Sequence, residues 1–157
     1  MLARFLLSAV LLTAGAVTAN AQTETLPFAT DGYLFTLPSS NTLTGSSSAS
    51  SVALTAGVTQ LVTIQNLTYT ATNFNANDNA TLNWSLTIGG VTHTFGQPVN
   101  EFIPVPNTEV LVLNGTGPTS FDLGSLGIVD VSLQGQGIGV NRNVSRAVRQ
   151  NRKVYFV

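Results

Sequence analysis

From Gln22 onward, apolar and polar residues alternate with period two over short runs. That is the signature of half-buried β-strands. The clearest run covers residues 82–88. Leu82, Trp84, Leu86 and Ile88 share one face, and Asn83, Ser85 and Thr87 share the other. Gly89-Gly90 follows, and two glycines supply the positive φ that a two-residue hairpin turn needs. Val91-Thr92-His93-Thr94-Phe95 then returns. A two-residue turn predicts that Ile88 faces Val91, Leu86 faces His93 and Trp84 faces Phe95, with Thr87 opposite Thr92 on the polar side. Both strands agree on the buried face, so the register is well specified.

The same pattern predicts further strands over residues 32–37, 59–72, 99–103, 109–113 and 128–133, with shorter pieces at 51–55 and 120–123. In residues 59–72 the apolar face is Val62 and Ile64, then Leu67, Tyr69 and Ala71. The switch across Gln65-Asn66 predicts a bulge or bend. Turn chemistry separates the runs at Pro104-Val105-Pro106-Asn107 and at Asn114-Gly115-Thr116-Gly117-Pro118. Residues 39–51 are Ser-rich and read as a loop or flexible connection. Many short strands at this spacing indicate an all-β chain folded as an antiparallel β-sandwich of jelly-roll or immunoglobulin-like type.

The first twenty-one residues follow a different rule. Arg4 precedes a mostly apolar run over residues 5–17, and Ala19-Asn20-Ala21 supplies a small-x-small site. This is the layout of a secretory signal peptide over residues 1–21, cleaved between Ala21 and Gln22. The expectation is a secreted chain (periplasmic, extracellular or cell-surface) with no transmembrane anchor in its mature part. The mature chain divides into a β-sandwich domain over 22–141 and a basic C-terminal tail or short helix over 142–157.

Composition removes whole classes of chemistry. Only 8% of the residues are charged, cysteine is absent, and His93 is the one histidine. Thr, Ser, Asn and Gly supply 62 of the 157 residues. A zinc site, a disulfide scaffold and a thiol enzyme lack their ligands or nucleophile. A Ser–His–Asp arrangement has only His93, which alternation places beside Trp84, Leu86 and Phe95 as a core or rim residue. Gly124-Ser125-Leu126-Gly127 is not a nucleophile elbow.

Carboxylate pairs for glycoside hydrolysis would have to come from Glu101 with Glu109, or Asp122 with Asp130, each pair flanking a predicted turn. Solvated strand ends are the simpler reading of all four. The Asn-rich stretch over residues 73–79 holds one carboxylate, Asp78, which is too few for a strong Ca²⁺ loop. Five N-x-Ser/Thr sequons, at Asn66, Asn79, Asn83, Asn114 and Asn143, are close to the number that this composition produces by chance. No catalytic residue, cofactor or metal is expected.

Three segments together resemble a known group of proteins. They are residues 62–70 (Val-Thr-Ile-Gln-Asn-Leu-Thr-Tyr-Thr), the hairpin over 82–95, and residues 120–127 (Ser-Phe-Asp-Leu-Gly-Ser-Leu-Gly). Behind a signal peptide and without cysteine, this looks like the choice-of-anchor ectodomains of secreted bacterial proteins. The likeness covers about residues 42–140. It implies a surface or matrix β-sandwich without a defined catalytic site. The chain departs from that group in having no Pro-Glu-Pro sorting motif and no terminal apolar helix.

Charge is segregated along the chain. Residues 22–141 contain all seven acids and no Lys or Arg, whereas residues 142–157 contain Arg142, Arg146, Arg149, Arg152 and Lys153. The spacing of Arg142, Arg146, Arg149 and Lys153 would place them on one stripe of a helix, and such asymmetry marks an interaction tail. The tail is expected to serve self-association, or attachment to an anionic surface or polysaccharide, and to be dispensable for folding. Nucleic acid is not an expected partner of an exported chain. The leading function is therefore a secreted or cell-surface, non-catalytic structural, matrix or adhesion-type protein. The alternative is a carbohydrate-binding module whose aromatic platform would draw on Tyr33, Phe35, Tyr69, Phe74 or Phe102. An extracellular glycan-active enzyme ranks third.

Overall fold

The computed structural model describes residues 22–157, so the expected signal peptide lies outside the described residues. The hairpin forms as the alternation requires. Strand β6 (Asp78–Ile88) pairs with β7 (Val91–Val105), and Trp84↔Phe95, Leu86↔His93, Thr87↔Thr92 and Ile88↔Val91 are register partners. Gly89 and Gly90 have φ of 55° and 87°, both in the region that a type I′ turn demands. Leu82, Trp84, Leu86 and Ile88 are buried, and Trp84 stacks on Phe95 at 5.0 Å between ring centroids. On the outer face, hydroxyl pairs cross the hairpin: Ser85 with Thr94 at 3.1 Å and Thr87 with Thr92 at 2.8 Å. The return strand continues through residues 99–103, which the alternation had set apart as a separate strand.

Two long ribbons wrap this hairpin, and each bends from one sheet into the other. The first comprises β1 (Thr23–Thr30), β2 (Tyr33–Thr36), β3 (Thr42–Gly45) and β4 (Ser48–Thr55). β1 pairs with β4, and β2 with β3, so the ribbon turns its corner at Asp31-Gly32 and Ser46-Ser47. Gln65 pins the corner from inside: its Nε2 donates to the Asp31 carbonyl at 2.9 Å and the Ser46 carbonyl at 3.0 Å. At Gly45 a Cβ would come within 2.4 Å of the Tyr33 ring, so only glycine lets that ring pack down. The Ser-rich stretch expected as a loop supplies β3 and β4. Its small residues have weak β propensity, and pairing with β1, which buries Leu26 and Phe28, overrides it. The second ribbon comprises β8 (Thr108–Leu113), β9 (Thr116–Asp122), β10 (Ile128–Leu133) and β11 (Gln136–Asn141), with β8 on β11 and β9 on β10.

Strands β5 (Gln60–Thr70) and β12 (Ala147–Phe156) complete two six-stranded antiparallel sheets. One runs β11-β8-β7-β6-β1-β4 and the other β2-β3-β5-β12-β10-β9. They pack as a β-sandwich with the apolar core between them. The bulge expected in residues 59–72 is present. Arg152 pairs with Gln65 and Lys153 with Thr63, which leaves Ile64 as the extra residue, and both Ile64 and Gln65 are buried.

The expected tail or helix over 142–157 is corrected: among the described residues this segment holds a turn and then β12, a central strand between β5 and β10. The helical reading followed the spacing of the cations. The apolar residues Val148, Val154 and Phe156 keep a period of two and point inward, and two flanking strands offer unpaired backbone to that face. Removing the segment would break the second sheet in two.

The face assignment has a direct energetic consequence. Trp84→Ala should cost about 3–5 kcal/mol, as for other large aromatic truncations in a core, and Thr87→Ala under about 1 kcal/mol. Urea melts of the two variants check this; small and equal shifts would contradict the packing.

Candidate functional site

Arg142, Arg146, Arg149 and Lys153 do not share one helical stripe. Arg142 and Arg146 are exposed in the turn before β12, where the Arg142 N–H donates to the Asn107 carbonyl and the Ala71 N–H to the Arg146 carbonyl, both at 2.9 Å. Strand alternation sends Arg149, Asn151 and Lys153 to the outer face, and turns Arg152 inward, where it is 2% exposed. The outward cations have neutral neighbours. Thr44, Thr68 and Arg149 form one row across β3, β5 and β12, Asn151 pairs with Asn66, and Lys153 pairs with Thr63. Two shallow clefts flank this line. One is lined by Thr44, Ser46, Asn66, Thr68, Arg149, Gln150 and Asn151; the other by Gln134, Gln136, Gln150, Asn151 and Lys153. Around Arg149 and Asn151 the neighbours are amides and hydroxyls, and the two outward cations stand four residues apart, about 13 Å along the strand. Exposed Leu34 ends the Arg149 row, and Leu61, Tyr155 and Asp130 lie beyond Lys153 on the same face.

The acids divide differently from the expectation of solvated strand ends. Asp122 is exposed and Asp130 half-buried, with Ser120 Oγ donating to Asp130 at 2.5 Å. Glu101 and Glu109 are instead buried, at 1% and 0% exposure. Alternation sets Glu101 on the face of Val99 and Glu109 on that of Leu111 and Leu113, all inward, and the partners that bury them come from distant segments. Glu101 receives three donors: the Tyr69 hydroxyl, Asn41 Nδ2 at 2.7 Å and Ser39 Oγ at 2.6 Å. Asn41 is the organiser here. Its Oδ1 accepts from the Thr72 and Asn73 N–H groups at 2.7 and 2.8 Å, and its Nδ2 also reaches the Asn73 carbonyl at 2.8 Å. The Asn-rich stretch is thereby folded down over the acids, with Phe74 and Ala76 buried. Asp78, the register partner of Glu101, accepts from the Ser39 N–H at 2.6 Å.

Burial first, then the Glu101 hydrogen bond and the neighbouring carboxylates, hold the Tyr69 phenol above its usual range, so it remains a donor. Glu109 has no such support, since neither of its carboxylate oxygens has a partner in hydrogen-bonding geometry. Burial, followed by the negative Glu101, pushes it up to about 7; the Ala76 N–H pulls the other way by more than Asp78 adds. Two carboxyl groups in unlike environments are the raw material of acid–base catalysis. Here they are closed off from solvent, and none of the clefts described is lined by either. Among the described residues no group of three or more His, Cys, Asp or Glu side chains is arranged to hold a metal ion.

Of the aromatic residues considered as a sugar platform, Tyr69 and Phe74 are buried, Tyr33 and Phe35 pack against the core, and Phe102 alone is exposed, at 39%. His93 is half-buried with its ring 4.5 Å from that of Phe121, edge to face. Asn66, Asn79, Asn83 and Asn143 are exposed and Asn114 is half-buried. No helix among the described residues is long and apolar enough to cross a membrane. No protein family, curated protein or solved structure matches the chain.

Glu109 makes folding sensitive to pH. Its folded value lies above that of an unfolded carboxyl, so the native state holds an extra proton between about pH 4.5 and 7. Stability contributed by the protonated form is present below that window and lost as pH rises through it, by on the order of 3 kcal/mol. Glu109→Gln should remove this slope. Urea melts of both proteins at pH 5 and pH 8 check it; parallel stability curves would contradict the assignment.

Proposed function

We propose that the protein is a secreted, non-catalytic structural protein of a matrix or cell surface, and that it holds an anionic polysaccharide across the outer face of the sheet centred on β12. The observation that carries this reading is the pair of outward cations, Arg149 and Lys153, on the central strand, set among the amides and hydroxyls of Thr44, Thr63, Asn66, Thr68 and Asn151, with Leu34 at the far end of the Arg149 row and Leu61, Tyr155 and Asp130 beyond Lys153. A rigid strand holds the two charges in line, so a chain of spaced carboxylates can meet both without ordering a loop. The surrounding Thr44, Asn66, Thr68 and Asn151 supply donors and acceptors suited to sugar hydroxyls. Glu101 and Glu109, buried and lining none of the clefts described, offer an enzymatic reading no accessible acid–base pair.

Binding of polygalacturonate and of neutral dextran, measured at low and high salt, tests the proposal. The wild-type protein should bind the polyuronate, and salt should weaken the complex by screening. The double variant Arg149→Gln/Lys153→Gln should lose about tenfold or more in affinity. Its melting should stay close to wild type, because both side chains point outward. Unchanged binding in the variant, or a preference for dextran, would refute the charge-based reading.

A further inference from the structure

Arg152 is the residue that the outer-face reading leaves unused. It sits on the same strand as Arg149 and Lys153 but points into the sandwich, 2% exposed. Its guanidinium carbon lies 4.2 Å from the centroid of the Trp84 ring and 5.7 Å from that of Tyr33. Those rings offer their π-faces to the cation, which offsets part of the cost of taking it out of water. The hydrogen-bonding edge is not satisfied. Nε, Nη1 and Nη2 have no partner, and the same is true of Trp84 Nε1 and the Tyr33 hydroxyl.

The one acceptor in this set is Gln65 Oε1, on the register partner of Arg152. Its orientation is fixed, because Nε2 of the same amide donates to Asp31 and Ser46. The five guanidinium N–H groups and the indole N–H are therefore without an acceptor, and Gln65 Oε1 is itself without a donor. No carboxylate answers the charge. Glu101 is engaged by Tyr69, Asn41 and Ser39, and the groups that influence Glu109 are Glu101, Asp78 and Ala76. Burial lowers the Arg152 guanidinium only to about 10, which leaves it a cation at neutral pH.

We propose that Arg152, the Trp84 indole N–H and the Tyr33 hydroxyl form an internal site for a weakly hydrated monovalent anion of the halide class. Excess donors and a positive charge call for an acceptor that is itself negative. The aromatic walls favour an anion that loses its water readily over a strongly hydrated one such as fluoride or sulfate.

Trp84 is the sole tryptophan, 3% exposed and in contact with Arg152, so it reports on the site directly. Iodide titrated at constant ionic strength into protein in fluoride buffer should quench its emission along a saturating curve, with roughly a twofold loss at the plateau. Chloride should reverse the quenching by competition, and the melting temperature should rise with chloride but not with fluoride, as linkage requires for a ligand of the native state. Caesium, a quencher of opposite charge, should leave a buried ring nearly untouched. Arg152→Met keeps the aliphatic stem and should lose the saturating phase. Iodide quenching that is linear and no stronger than that of caesium would overturn the site, as would saturable quenching that persists in Arg152→Met. The wild-type measurements decide alone should that variant fail to fold.

Discussion

The ladder between β5 and β12 is the constraint on which the rest of the molecule depends. Ten register pairs join Ala147–Phe156 to Gln60–Thr70. On its other side β12 meets β10 through Val131↔Phe156, Ser132↔Tyr155 and Leu133↔Val154. Without it the second sheet would be two separate three- and two-stranded pieces, β2-β3-β5 and β10-β9, each with a long unpaired edge. The strand also brings three of the five described cations, Arg149, Arg152 and Lys153, to the acidic body. The same backbone that closes the core thus decides which cation faces solvent and which faces the interior.

Polar groups inside the sandwich fall into two unlike sets. Around Glu101 the interior is well matched: hydroxyl and amide donors converge on one carboxylate, and Asn41 ties the strand ends to the loop that covers them. Glu109 and Arg152 are the opposite case, each buried with its charged atoms unpartnered. Buried charge left in this way is costly. Glu109 meets the cost by keeping its proton up to about neutral pH. Arg152 cannot shed its charge at neutral pH, and its aromatic contacts leave its donors unanswered.

How much of this was legible in the sequence depended on whether the deciding contacts were local. The β6–β7 register, its Gly-Gly turn and the bulge near Gln65 could be read because alternation and turn chemistry are properties of neighbouring residues. The sandwich class followed from the same patterns. The role of residues 147–156 could not be read by following charge: Arg142, Arg146, Arg149 and Lys153 suit a helix stripe, while the competing signal, Val148, Val154 and Phe156 at even spacing, was spread thinly among them. That alternation was the available clue. For Glu101 and Glu109 the local clue was alternation, which sets them on the faces of Val99 and of Leu111 and Leu113; the groups that receive or cover them, Ser39, Asn41, Tyr69 and the loop through Ala76, are brought there only by the fold. Likewise, Arg149 and Lys153 were expected to be surface cations, but their placement in one row on a rigid face is a consequence of sheet order.

Amide hydrogen exchange across β12 tests the central claim most directly. Backbone amides between Val154 and Phe156, held in a strand with neighbours on both sides, should exchange as slowly as those of Leu82–Ile88 in β6, through global unfolding alone. Fast exchange in β12 beside slow exchange in β6 would mean that the C-terminal segment is an appendage, and the placement of Arg149, Arg152 and Lys153 on their two faces would fall with it.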